Sequence, residues 1–348
     1  MKTIFEQVQL RKIISKNKIV RSATNDYMSN PDGTITEKQI KLYEELAKNN
    51  IGLIITGHLF VSENLAQANK GQMGSYSDIH IEGLKNLVDS VKKYDVKIVA
   101  QINHAGGKAR MADECVGPSP IAVIPGEMVS RELTIDEISK IKTDFIEAAK
   151  RVKKAGFDGV QIHMAHGYLL SEFIDPNYNF RNDIYGGSAE NRFRLPFEIL
   201  EGVQKACGKD YPIFIKINCN AKEGDDEYTK ELIDFINKCY EMGIEAVELS
   251  SHQAVFKGKD TKLYFIDKAE YIKDRTNMPL ILVGGVKTLE NMQEALDRGM
   301  SMVSLSRPLI CQPDAVTRLI NGEEIKCISC NNCFSIYHKT GEKRCILH

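Results

Sequence analysis

Eight short apolar segments recur along this sequence, and they constrain its fold more than any other feature. The segments are residues 18–21, 52–56, 97–102, 157–162, 212–217, 246–250, 279–283 and 302–306. Stretches with helical periodicity lie between them. In residues 134–154, Ile138, Ile141 and Phe145 share one helical face, and Thr134 and Glu137 have the spacing of a capping box. Eight strands that alternate with helices, without a linker-like stretch, predict one α/β domain folded as a (β/α)8 TIM barrel; a doubly wound sheet is the alternative.

Composition narrows the class of ligand. The chain has 348 residues, 43% of them hydrophobic, and its 46 Lys and Arg against 47 Asp and Glu give a net charge of -1. A balanced charge provides no general attraction to nucleic acid or acidic membranes, so we expect a small-molecule substrate and neither of those partners. The N-terminus lacks an apolar signal segment, and no run reaches the roughly 18 apolar residues of a membrane span. We therefore expect a cytoplasmic protein, and we further expect a homo-oligomer.

Polar residues follow most of the predicted strands, at the ends that would meet at the mouth of a barrel. The richest cluster is His163-Met-Ala-His166-Gly-Tyr168, which directly follows the fourth strand. Two imidazoles and a phenol can donate hydrogen bonds to an anionic oxygen and supply a proton, which suits a reaction that builds negative charge beside a carbonyl. A loop with two hydrogen-bonded histidines is the simpler alternative. Three titratable groups at one strand end favour a built site.

The ends of the seventh and eighth strands suit a phosphate. Gly284 and Gly285 allow close approach of backbone N–H groups, while Arg307 offers a bidentate guanidinium and Ser306 a hydroxyl. A Gly-Gly pair alone indicates only a tight turn. Its position at the end of a barrel strand favours a phosphorylated ligand.

Three motifs of the sequence occur in a fixed order: the segment from Asn17 to Asn25, the His163-x-x-His166-Gly-Tyr168 cluster, and Tyr185-Gly-Gly-Ser-x-Glu190-Asn191-Arg192. Together they closely resemble the Old Yellow Enzyme family of FMN oxidoreductases. The match runs from about residue 4 to residue 310. Within the family, the chain is most similar to the N-terminal barrel of the 2,4-dienoyl-CoA reductase and trimethylamine dehydrogenase branch. The resemblance implies FMN as cofactor and NADH or NADPH as reductant.

The resemblance also assigns roles to individual residues. Residues 22–25 would line the flavin edge near N5 and O4, Gln101 would bond the pyrimidine side, and Lys216 stands where the family usually has an arginine near N1 and O2. Asn25 differs from the threonine or cysteine that is frequent at this flavin-tuning position. Together, the strand-end positions and the resemblance give the candidate cofactor-binding residues: Ser22, Ala23, Thr24, Asn25, Gly57, Gln101, Lys216, Gly284, Gly285, Ser306 and Arg307.

By the same resemblance, the substrate is an α,β-unsaturated carbonyl compound. His163 and His166 would bind its carbonyl oxygen, Tyr168 would donate the proton, and Tyr27 is a further substrate-binding candidate. His252, after the sixth strand, is similar to a histidine that assists proton delivery in dienoyl-CoA reductases; a surface-loop histidine is the alternative. An ene-reductase is thus the leading prediction.

Four cysteines near the C-terminus predict a metal site. Cys327, Cys330, Cys333 and Cys345 have the spacing C-x2-C-x2-C-x11-C, which suits a [4Fe-4S] cluster, with zinc or free thiols as alternatives. The other five cysteines are scattered through apolar or mixed sequence and predict no chemistry. We therefore divide the chain into an FMN-binding TIM barrel, residues 1–320, and a cysteine-rich tail, residues 321–348.

The tail leaves two further functions open. Relatives in this branch continue into FAD and NAD(P) domains, so a cluster in a chain that ends at His348 would exchange electrons with a separate partner protein or only fix the tail. A flavin dehydrogenase that passes electrons out through the cluster is one alternative to the ene-reductase. A non-catalytic electron-transfer subunit is the other, although His163, His166 and Tyr168 favour a carbonyl-bearing substrate.

Overall fold

The structure is a computed structural model that describes residues 3–219, 226–251, 262–341 and 343–347. Eight parallel strands form its centre. Each strand pairs with the next along the chain, and the eighth pairs with the first, so the sheet closes into a barrel. The barrel strands are Ile19–Arg21, Leu53–Ile55, Lys97–Asn103, Gly159–Met164, Ile213–Asn218, Ala246–Ser250, Leu280–Val283 and Met302–Leu305. The predicted TIM barrel is confirmed, with strand bounds close to the predicted ones.

Helices surround the barrel. The predicted capping box is present, because the Thr134 side chain accepts from the Glu137 N–H and the Glu137 carboxylate accepts from the Thr134 N–H. The described α-helices are Glu37–Lys48, His80–Lys92, Ile135–Lys154, Leu169–Ile174, Ala189–Arg192, Arg194–Cys207, Asp226–Met242, Ile266–Lys273, Leu289–Asp297, Arg307–Cys311, Ala315–Ile320 and Asn332–Thr340. Thr3–Phe5 and Gly106–Lys108 form short 3-10 helices. Short strands outside the barrel are Val8–Gln9, Ile14–Ser15, Leu59–Phe60, Val116–Gly117 and Arg131–Glu132.

The inward-facing residues change from apolar to polar along the strands. Side chains two residues apart on a strand face the same side, so each strand sends alternate residues inward. One interior layer is a cluster of buried apolar residues that includes Val20, Val99, Phe214, Ala246 and Met302. Two residues further along the same five strands stand Ser22, Gln101, Lys216, Glu248 and Ser304, all buried. The barrel therefore has an apolar floor and a polar layer directly above it.

An N-terminal hairpin closes the opposite end of the barrel. Strands Val8–Gln9 and Ile14–Ser15 pair antiparallel. In the turn between them, the backbone N–H groups of Arg11, Lys12 and Ile13 all donate to Oε1 of Glu245, at 3.0, 2.8 and 2.7 Å. Because this end is covered, ligands reach the polar layer from the C-terminal ends of the strands.

The cysteine-rich tail returns to that open end. After helix Ala315–Ile320 the chain forms helix Asn332–Thr340, and its Tyr337 ring stacks on the Tyr27 ring with centroids 3.5 Å apart. Lys343 Nζ donates to the backbone oxygen of Asn25 at 3.2 Å. The tail thus forms part of the rim around the mouth.

Candidate active site

A cavity of about 440 Å³ opens at the C-terminal strand ends. Nearly all of the predicted site residues in the described ranges line it: Ser22, Ala23, Thr24, Asn25, Tyr27, Gln101, His163, His166, Tyr168, Lys216, Gly284, Gly285, Ser306 and Arg307. Gly57 does not line the cavity. Its N–H donates to Tyr43 Oη at 2.9 Å, and a methyl group at Gly57 would lie 3.0 Å from the Thr24 oxygen, so it packs behind the first-strand segment. His252 lies outside the described residues.

The proposed phosphate end is held by close packing. Gly284 and Gly285 have φ of +114° and +73°, which favour glycine. A methyl group at Gly285 would lie 2.6 Å from the Leu263 nitrogen and 2.8 Å from the Tyr264 ring. Tyr264 in turn accepts from Arg307 Nη2 at 2.9 Å, while Arg307 Nη1 donates to Asn331 Oδ1 of the tail at 2.6 Å. The two glycines therefore let Tyr264 approach closely enough to orient the arginine.

A buried ion pair lies in the polar layer. Strand register places Lys216 directly opposite Glu248, and their Nζ and Oε2 atoms are 3.0 Å apart. Lys216 Nζ also donates to Ser22 Oγ at 2.9 Å, and Glu248 Oε1 accepts from Ser22 and Ser304 at 2.7 and 2.8 Å. Burial alone would raise the pKa of Glu248, but the Lys216 charge and these hydrogen bonds outweigh it and hold the pKa below its usual value. The lysine charge is thus balanced by a carboxylate.

The same layer fixes the amide of Gln101. Gln101 lies opposite Gln161 on the neighbouring strand and donates from Nε2 to Gln161 Oε1 at 2.6 Å. Gln161 Nε2 then donates to Glu248 Oε2 at 3.1 Å. A chain of bonds from Glu248 therefore determines which way the Gln101 amide points.

Backbone geometry turns the histidines and Tyr168 into the cavity. His166 and Gly167 both have positive φ, +65° and +67°, which reverses the chain directly after the fourth strand. The His163 ring centroid lies 5.1 Å from the His166 ring and 5.1 Å from the Tyr168 ring. His166 Nε2 is 2.7 Å from Ser250 Oγ, and its backbone N–H donates to Asn218 Oδ1 at 3.1 Å. The predicted His-His-Tyr cluster forms one compact group.

Burial sets the protonation of this group. It raises the pKa of Tyr168 to about 12, so the phenol keeps its proton at neutral pH. Burial, followed by the charges of His166 and His58, holds the pKa of His163 well below its usual value. The cavity thus offers a protonated phenol beside a neutral imidazole.

Two polar atoms in the wall indicate that the cavity takes a ligand. Asn25 Nδ2 and His163 Nδ1 are both buried, and neither has a hydrogen-bond partner among the described residues. Buried groups of this kind are normally satisfied, so a bound molecule is the expected partner. A flavin, with both donor and acceptor atoms on its ring, fits these two polar atoms together with Gln101, Lys216 and the Arg307 end of the cavity.

Several wall residues were given no role by the sequence analysis. His58 follows the second strand, Lys108 is the last residue of the 3-10 helix Gly106–Lys108, and Tyr264 comes shortly before helix Ile266–Lys273. Glu248 does not line the cavity but pairs with Lys216 behind it. A detectable signal existed for Glu248, because a lone carboxylate inside an apolar strand requires a buried partner.

The tail cysteines converge without forming a metal site. Cys327, Cys330, Cys333 and Cys345 line one small cavity beside Cys311, the last residue of helix Arg307–Cys311. All are free thiols. Within the described ranges, no three His, Cys, Asp or Glu side chains are arranged to hold a metal ion. The four predicted ligands therefore lie close together, but their side chains are not arranged to bind a metal ion. Cys311 lies beside them, which its sequence context did not predict.

A closed barrel with a polar cavity at its C-terminal strand ends defines a TIM-barrel enzyme. The family model described as "NADH:flavin oxidoreductase / NADH oxidase family" matches residues 3–325, and the chain belongs to that family. An NADPH dehydrogenase of Clostridium acetobutylicum is 35% identical over 319 residues, which cover 89% of this chain and 92% of the relative. Membership makes the protein an oxidoreductase that uses FMN and a reduced nicotinamide.

Solved structures agree with this assignment. An Old Yellow Enzyme homologue from Zymomonas mobilis has a TM-score of 0.82 and 27% identity, and the match covers 93% of this chain and 94% of that one. The fold of a 2-naphthoyl-CoA reductase in complex with 2-naphthoyl-CoA matches 100% of this chain with a TM-score of 0.92 and 24% identity. This chain spans 57% of that protein's length. No helix among the described residues is long and apolar enough to cross a bilayer.

Proposed function

We propose that this protein reduces the carbon-carbon double bond of α,β-unsaturated carbonyl compounds, with FMN and NADH or NADPH. The observation that carries the proposal is that His163, His166 and Tyr168 line the same cavity as the residues that are predicted to bind the flavin. Two imidazoles beside a protonated phenol suit a substrate on which negative charge develops at a carbonyl oxygen. An electron relay without a substrate needs none of these groups.

FMN, when bound, supplies the hydride. His163 and His166 are proposed to hold the substrate carbonyl oxygen, which aligns the double bond and stabilises the charge that builds on that oxygen. Tyr168 gives its Oη proton to the α-carbon and recovers a proton from solvent. Tyr27, whose ring is held against Tyr337 of the tail, covers the substrate from the rim.

The direct test is an anaerobic half-reaction. Protein reduced with NADH or NADPH is mixed with 2-cyclohexen-1-one, and the return of the oxidised flavin spectrum is followed. Cyclohexanone, which lacks the double bond, is the matched control. We expect rapid reoxidation by the enone alone. Reoxidation by oxygen or a dye, but by no enone, enoate or enoyl thioester, would refute the proposal.

The cofactor-binding roles of residues 22–25, 284–285 and 306–307 are part of this proposal. Arg307 and the glycine turn form an end suited to one terminal phosphate, as in FMN. Release of the flavin by heat, followed by chromatography, should therefore give FMN. Recovery of FAD would show that the cavity accepts a second nucleotide and that the phosphate assignment is wrong.

We also propose that Cys327, Cys330, Cys333 and Cys345 bind a [4Fe-4S] cluster, with zinc as the alternative and a redox protein as partner. Their spacing and common cavity support this proposal. Anaerobically prepared protein should contain about four iron and four sulfide per chain. Cys330→Ser should abolish the iron and retain FMN, whereas the scattered Cys239→Ser should retain both. Stoichiometric zinc would contradict the cluster.

A further inference from the structure

We propose that His58 is a positioning residue for proton transfer, which donates a hydrogen bond from Nε2 to Tyr168 Oη and stabilises the phenolate that forms there. This inference rests on the proposed function, in which Tyr168 is the acid. The two atoms are 3.5 Å apart, and the two rings lie with centroids 5.1 Å apart in the same cavity wall. Such bonds are often long before the substrate binds and shorten as charge develops.

A chain of hydrogen bonds determines which nitrogen of His58 carries the proton. The Ala68 N–H donates to Gln72 Oε1 at 2.8 Å, which fixes the orientation of the Gln72 amide. Its NH2 group therefore faces His58. Gln72 Nε2 lies 2.8 Å from His58 Nδ1 and donates to the His58 backbone oxygen at 3.1 Å. Because an amide nitrogen only donates, Nδ1 must accept, and the proton of a neutral His58 is on Nε2.

His58 is neutral under ordinary conditions. Burial, with the charge of Lys343, lowers its pKa to about 4. At neutral pH the ring therefore has one proton, and the Gln72 bond places that proton on the side facing Tyr168. His58 acts as a fixed donor and not as a second acid.

The bond matters most when the proton leaves. As the Tyr168 O–H bond breaks and a C–H bond forms at the substrate α-carbon, the electron pair of the O–H bond stays on Oη. Burial opposes this charge, since it raises the pKa of Tyr168 to about 12. A donor aimed at Oη offsets part of that cost, because hydrogen bonds to charged atoms are stronger than those to neutral ones.

Other groups also face Tyr168, and they must stay unchanged in a test. Lys108 Nζ lies 5.5 Å from the ring centroid. Other titratable or charged groups near it, within the described part of the chain, include His58, His163, Arg110 and Tyr27. The variants below alter only His58 and Tyr168.

The test is a double-mutant cycle on the two half-reactions. His58→Leu removes the donor, and His58→Gln keeps an N–H group near the same position. We expect His58→Leu to slow reoxidation by 2-cyclohexen-1-one on the order of 10-fold, the effect of one hydrogen bond to a developing charge. His58→Gln should recover part of this loss. Reduction by the nicotinamide should change little, and the solvent deuterium isotope effect on reoxidation should rise in His58→Leu.

The Tyr168→Phe background separates positioning from structure. There, His58→Leu should cause no further slowing, because no phenolate forms. Equal slowing in both backgrounds, or in both half-reactions, would overturn the role of His58. If Tyr168→Phe slows reoxidation but neither His58 variant does, this inference alone fails. If Tyr168→Phe has no effect, Tyr168 is not the acid and this inference fails, whereas failure of the wild type to be reoxidised by any enone, enoate or enoyl thioester is the result that refutes the proposed function.

Discussion

Replacement of Glu248 by glutamine should destabilise the protein strongly. The Lys216 and Glu248 side chains are only 3% and 0% exposed, and their charged atoms are 3.0 Å apart. At that distance and an effective dielectric constant of about 20, Coulomb's law gives an attraction of roughly 5 to 6 kcal/mol. Since loss of one partner leaves a buried uncompensated charge, we expect Glu248→Gln to lower the free energy of unfolding by about 3–5 kcal/mol.

Guanidinium denaturation with saturating FMN, followed by circular dichroism, measures this loss. Lys216→Met combined with Glu248→Gln should be more stable than Glu248→Gln alone, because the unpaired charge is gone. The exposed pair Lys85 and Asp89, at 58% and 56% side-chain exposure, provides the matched control: Asp89→Asn should cost less than about 1 kcal/mol. A loss for Glu248→Gln that is no larger than the Asp89→Asn loss would refute the reasoning.

The effect should also depend on pH in a defined direction. The folded-state pKa of Glu248 is lowered from its ordinary value of 4.5. A carboxylate of this kind contributes its full stabilisation above the unfolded-state pKa, and the contribution is lost as the pH falls through the folded-state pKa. The difference in unfolding free energy between the wild type and Glu248→Gln should therefore be constant near neutrality and shrink below about pH 4.5.

Two further substitutions test the site. Tyr168→Phe should slow reoxidation by an enone about 10²-fold or more in stopped-flow measurements, while reduction by the nicotinamide is nearly unchanged, because only the first step needs the acid; equal slowing of both steps would make Tyr168 structural. Gly285→Ala should cost about 1–3 kcal/mol of unfolding free energy and weaken FMN binding in a fluorescence titration, since its methyl group would lie 2.6 Å from the Leu263 nitrogen. Gly341→Ala is the control, with a similar φ of +74° but open space, so an equal cost would exclude the clash.

The sequence predicted the barrel from local patterns, and it predicted part of the cavity wall from strand ends and from the family resemblance. Apolar periodicity marks the strands, and parallel strands bring their C-terminal ends together. What it missed depends on register and packing. Lys216 pairs with Glu248 because the two residues lie opposite each other in neighbouring strands. This strand register cannot be derived from residue spacing along the sequence. Gly57 was assigned to the cofactor because it follows a strand; in the structure it does not line the cavity, and a methyl group there would lie 3.0 Å from the Thr24 backbone oxygen.

The tail is part of the site although it is distant in sequence. Ser329, Phe334, His338 and Lys343 line the candidate active-site cavity, and Phe334 follows Cys333 of the cysteine group directly. Lys343 packs over the rings of Phe334 and Tyr27, at 4.3 and 5.0 Å from their centroids, and burial lowers its pKa to about 8. A rearrangement of the cysteines upon metal binding would therefore move the wall that faces the substrate. The predicted division at residue 320 separates two stretches of sequence, whereas the cavity is built from both.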